Sequence, residues 1–234
     1  TVSNGSFYPA GWHVVTALWS AISGASAPIA ENASLFVFMG IVFPASMALL
    51  MLKTFSDRLI VLLGSFITLS FSAFPWGFLT FGPLYSNLAA YAVTPLAVCS
   101  VASVFSVDQS KAGRLRWGIA FLAACFAFFA LQPNAVFTVI VLAAPLCAAN
   151  LMGSLSLAGV SKRRSGLICA LVVLILALAW IVAWRLPFFE GIVTYPWPPF
   201  EGRLQALIGA LDLSLRAYPS QLLLAGLVLI GAIW

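Results

Sequence analysis

The single histidine of the chain, His13, closes the segment Tyr8-Pro-Ala-Gly11-Trp12-His13. Near neutral pH an imidazole can act as a general base, a ligand or a hydrogen-bond partner. Three further segments mix polar and aromatic residues in the same way. They are FPWGFLTFGPLYSN at 74–87 (with Trp76, Tyr85 and Asn87), Gln132-Pro133-Asn134, and a stretch holding Glu190, Tyr195, Trp197, Glu201 and Arg203. Glu31, in Pro28-Ile-Ala-Glu-Asn32, is a candidate acid. Each has a structural alternative. His13 can orient neighbouring backbone, tryptophan and tyrosine can anchor a membrane interface, Gly82-Pro83 can be a turn, and Glu31 can be a first-turn acid favoured by a helix dipole. The four cysteines, Cys99, Cys125, Cys147 and Cys169, lie in apolar runs without CxxC or zinc-ligand spacing, so they read as soft packing residues. No motif indicates a cofactor, and no ligand spacing supports a divalent metal.

The elements that must position these residues are membrane helices. Hydrophobic residues make up 63% of the chain and charged residues 7%, against about 25% charged in a soluble domain. The net charge of +5 does not point to nucleic acid, because the basic residues sit in short clusters between apolar runs. With about 20 apolar residues needed to cross a core of about 30 Å, spans fall near 33–52, 59–76, 86–105, 118–131, 135–152, 167–186 and 219–234. The expected fold is all-α: one polytopic transmembrane bundle over 1–234, of about seven spans, plus two outer interfacial amphipathic segments at 9–23 and 187–218. Gln132-Pro133-Asn134 predicts a tight reversal. Pro44, Pro95 and Pro145 predict kinks.

Basic residues set the direction. Lys53, Arg58, Lys111, Arg114, Arg116, Lys162, Arg163 and Arg164 fall on one side, while Arg185, Arg203 and Arg216 fall on the other. The richer side is predicted to be cytoplasmic, in the cell membrane, with the N-terminal end outside. All four polar-aromatic groups then face outward. In 9–23, Trp12, Val15, Trp19 and Ile22 form an apolar stripe, and His13, Thr16, Ser20 and Ser23 a wet one. In 201–216, leucines and Ile208 alternate in the same manner with Glu201, Gln205, Asp212 and Arg216. No ionisable residue lies mid-span, which argues against a proton- or sodium-driven transporter. A start at Thr1 and an end at Trp234 within an apolar run suggest a piece of a longer protein.

The order YPAGWH, FPWGFLTFGPLYSN, LQPNAVF resembles an uncharacterised bacterial family of large multi-pass membrane proteins. These look like membrane glycosyltransferases of the C-type superfamily, which take sugars from polyprenyl-phosphate carriers. The resemblance covers residues 7 to about 150; beyond that only the layout matches. It implies transfer of a sugar on the outer face, with the lipid bilayer, a polyprenyl-phosphate sugar and a glycan or protein acceptor as partners. His13 or Glu31 would serve the acceptor hydroxyl, and Arg203 and Arg216 the departing phosphate. Tyr8, Trp12, Trp76, Tyr85, Asn87, Gln132, Asn134 and Trp197 would line the substrate site, with Trp12, Trp76 and Trp197 stacking on sugar rings. The superfamily's key acid lies in the first outer loop, which here would precede Thr1, and its pattern has His-Pro where this chain has Gln132-Pro133. The alternative is a non-enzymatic scaffold, or a flippase or transport component for lipid-linked glycans.

Overall fold

The computed structural model describes residues 9–80, 84–106, 108–185, 202–211 and 219–233, and among them every regular element is a helix. A short helix α1 (Gly11–Ser23) turns at Gly24, which has a positive φ of 69°, into α2 (Ala27–Met51). A bent pair follows: α3 (Arg58–Ser70) and α4 (Ser72–Thr80), meeting at 45°. Then come α5 (Tyr85–Val104), α6 (Lys111–Leu131), α7 (Ala135–Leu157), α8 (Lys162–Trp184), α9 (Arg203–Leu211) and α10 (Pro219–Ile233). Five helices, α2, α5, α6, α7 and α8, are long and apolar enough to cross a membrane, and the bent pair makes a sixth if it is one span. In the run expected as a seventh span, the described residues form α10, whose apolar stretch Leu222–Gly231 is shorter than those five helices.

The helices outrun the spans read from hydropathy, because a helix can continue through the charged and polar residues that end an apolar run. Expected starts at 33, 118 and 167 move to Ala27, Lys111 and Lys162. Ser110 caps α6 by accepting from the Gly113 N–H at 3.1 Å, and Asp57 caps α3 by accepting from Leu59 at 2.7 Å. Terminal lysines and arginines can then reach past the apolar zone from within the helix. Pro44 is absorbed by a π-turn at Phe38–Val42. The Phe43 N–H bonds to the Phe38 carbonyl five residues back, which makes room for the ring.

The core is built from small residues around α5. Leu88, Ala89, Ala90, Ala92, Ala97, Cys99 and Ser100 are all fully buried. Small side chains let α2, α6 and α7 approach α5 closely, as membrane packing requires where lipid is as apolar as leucine. Hydrogen bonds cross the same contacts. The Ser46 hydroxyl reaches the Ala92 carbonyl at 2.6 Å, and the Asn150 amide donates to Ala102 at 2.9 Å. The large apolar side chains face outward instead: Phe126 is 75% exposed and Leu122 68%.

The two ends of the bundle differ. At one, Lys53 lies 5.2 Å from the Trp117 ring centroid, and an Arg114 guanidinium N–H donates to Ser106 at 3.3 Å. These contacts gather the ends of α2 and α5 and the start of α6, so the clustered cations share this basic end. The other end carries aromatic and polar residues with few charges, Glu31 and Arg185 among them, and is called the neutral end below.

Candidate functional site

At the neutral end, α1 packs alongside α2, and its first turn meets the start of α5 and the end of α6. Trp12 is 1% exposed, with ring centroids 6.0 Å from Phe38 of α2 and 5.5 Å from Tyr85 of α5. Gly11 lies so close to α6 that a Cβ built on it would stand 2.7 Å from the Ala130 carbonyl oxygen. The first motif therefore packs directly against the second, at Tyr85, and beside the third, one residue before Leu131-Gln132.

The third motif forms the expected reversal. Gln132 leaves the helix with φ −160° and ψ 98°, and the Ala135 N–H bonds to its carbonyl at 3.1 Å. Gln132 and Asn134 are half-buried, and Asn134 sits at the start of α7 without a side-chain capping bond. Deeper in, the Tyr91 and Thr138 hydroxyls pair at 3.3 Å. Tyr91 also meets the rings of Phe74 and Phe78, and Phe74 stands edge-on to Phe43 at 4.7 Å. Phe74 and Phe78 belong to the second motif, but Tyr91, Thr138 and Phe43 were not singled out from sequence. The available signal was a tyrosine inside a span, whose hydroxyl needs a partner when buried.

The motif segments meet, but the named side chains take different roles. Trp12 was expected at an interface and stacking on a sugar. Its ring is enclosed by Phe38 and Tyr85, and no face is left open. Its indole N–H is buried without a hydrogen-bond partner. Thr16, expected on the wet stripe of α1, is also buried, since its hydroxyl is satisfied by the His13 carbonyl at 3.1 Å. Val14, Leu18 and Ile22 point outward in its place. Neither expected stripe holds as one face: Trp12 and Thr16 turn in, while His13, Ser23, Trp19 and Ile22 are exposed.

Trp76 is exposed and donates to the Leu69 carbonyl at 2.6 Å, across the break between α3 and α4. Its indole thereby satisfies a backbone group freed by the bend. Tyr85 and Asn87 are half-buried in the first turn of α5. His13 is exposed and Glu31 half-buried. They stand on adjacent helices but not at one level: Trp12 sits beside Phe38, seven residues and about 10 Å along α2 from Glu31. Arg203 is exposed at the start of α9. Tyr8, Trp197 and Arg216 lie outside the described residues. Among the described residues no three His, Cys, Asp or Glu side chains gather as a metal site.

A family model matches this whole arrangement, residues 1–234. The chain belongs to DUF6541, a family of unknown function. No curated protein and no solved structure matches it. The ordered motifs at the neutral end are thus those of a DUF6541 chain, and its chemistry has to be argued from the site.

Proposed function

We propose that this chain is part of a membrane glycosyltransferase-like protein that transfers a sugar from a polyprenyl-phosphate donor at the outer face. The observation that carries the reading is the meeting of the three motif segments at the end opposite the clustered cations. By the positive-inside rule that end faces out, where the headgroup of a flipped lipid-linked sugar would lie. In this reading the exposed His13 imidazole takes the acceptor proton, or orients the acceptor, and Arg203 supports the departing phosphate. The Gln132 and Asn134 amides offer donors and acceptors at the rim. Tyr85 and the buried Trp12 hold the floor beneath them.

The test is sugar transfer from polyprenyl-phosphate sugars in membranes containing the full-length protein. His13→Ala is expected to lower the rate by about 100-fold or more if His13 is the base. Arg203→Ala should lower it comparably through the leaving phosphate. Unchanged rates in both variants would remove these two assignments.

A second reading is favoured by one observation: the roughly 10 Å offset along α2 between the level of Trp12 and Glu31. If Glu31, set at another level, does not work with His13, the chain would be a scaffold or a transport component for lipid-linked glycans. Movement of such lipids across vesicles, without transfer of sugar, would decide for it.

A further inference from the structure

A second feature lies nearer the opposite end of the bundle. Between α5, α6, α7 and α8 runs a cavity of about 460 Å³, within the roughly 300–1,000 Å³ range of ligand pockets. Its walls are apolar: Val101 of α5 and Phe105 just after it, Phe121 of α6, a long face of α7, and Cys169 and Leu176 of α8. Along α7 the lining extends from Val139 to Leu151, about 18 Å at the helical rise. The cavity is therefore a slot parallel to the helices. One turn beyond its neutral end, Phe137 and Trp180 meet edge-on at 4.5 Å. On its open side Ile140 is 41% exposed, so the slot faces the bilayer.

The other end of the slot carries charge. The helices that wall it begin with Lys111, Arg114 and Arg116 on α6 and with Lys162, Arg163 and Arg164 on α8, all exposed. Ser165 lies just outside the lining, between the α8 cations and the lining residue Cys169, one turn before it along α8. Ser165 is 3% exposed, and its hydroxyl has no hydrogen-bond partner. Buried hydroxyls are normally satisfied, so an orphan here calls for an acceptor that the protein itself does not supply.

We propose that this slot is a binding site for one anionic glycerophospholipid from the leaflet at the basic end. One acyl chain lies along α7, the phosphate meets the α6 and α8 cations, and Ser165 donates to the headgroup or the ester. Basic pockets between membrane helices bind anionic headgroups on physical grounds alone, and each nearby lysine or arginine strengthens the attraction. An apolar slot of this length with a cationic mouth suits a lipid better than a soluble anion. It also suits a lipid better than a second protein helix, which would be wider than one chain. The site is independent of the sugar-transfer reading, since it lies toward the other end.

Native mass spectrometry of the full-length protein, in detergent with added lipid, tests this. Dioleoyl phosphatidylglycerol is expected to be retained as one tight copy, about tenfold or more above dioleoyl phosphatidylcholine. Ala144→Phe, which fills the slot, should abolish that copy. The surface variant K162Q/R163Q/R164Q, which leaves the core untouched, should reduce phosphatidylglycerol to the phosphatidylcholine level. Equal retention of both lipids, or phosphatidylglycerol binding unchanged in both variants, overturns the proposal. Displacement by an equimolar polyprenyl phosphate would overturn its commitment to a glycerophospholipid.

Discussion

At the scale of single residues, Trp12 carries the sharpest test of how the neutral end is held. Its ring fills the junction of α1, α2 and α5, yet its indole N–H is buried unpaired. Truncation to alanine should cost about 3–5 kcal/mol through lost contacts and a cavity. Trp12→Phe keeps an aromatic ring in the junction and loses no hydrogen bond, so it should cost less than half as much. Thermal unfolding in detergent compares the two, and a phenylalanine variant as damaged as the alanine one would mean the indole nitrogen is bonded after all. The identity of Trp12 as an important residue was legible in YPAGWH; its role was not. Spacing placed it on a stripe with Trp19 and Ile22, but spacing cannot say whether a stripe meets lipid or another helix. Here the stripe divides, with Trp12 buried and Ile22 73% exposed.

At the scale of elements, the bent pair is the feature that hydropathy conceals. A window over 59–76 averages side chains and is blind to backbone. Phe71 (φ −75°, ψ 129°) and Phe74 (φ −139°, ψ 131°) are extended, the latter pressed out of the helical region by Pro75. The Trp76 indole on Leu69 then bridges the gap. Amides near the break lack the continuous helical ladder, so hydrogen exchange in nanodiscs should be fast between 71 and 75 and slow through α5. Uniform protection across 58–80 would mean an unbroken helix and would remove the bend. The small-residue character of α5, by contrast, could be read from its alanines and serines. What could not be read was that this one helix is the post on which three others lean, because no local pattern records how many neighbours a helix has.

At the scale of the whole molecule, membrane class was legible in the near absence of charge, and the shared end of the three motifs followed from counting spans through the loops. The number of crossings was less legible, since a broken helix and a short terminal one both resemble spans in composition. The direction of the bundle yields a further test. With the four native cysteines replaced by alanine, Ser26→Cys at the neutral end should react with a membrane-impermeant maleimide on intact cells. Ser161→Cys at the basic end should react only after permeabilisation. The opposite pattern would invert the topology and remove the basis for chemistry at the outer face.

The joint at Gly11 bears on how motion could pass between the motifs. Where helices meet through side chains, rotamers act as springs, and a push on one is partly lost before it reaches the other. At Gly11 the contact is main chain against main chain, with no side chain on the glycine to yield. A shift of α1 at this point would bear directly on the main chain of Ala130, two residues before Gln132. The same stiffness makes position 11 intolerant: one added methyl has nowhere to go except by levering the two motif-bearing segments apart.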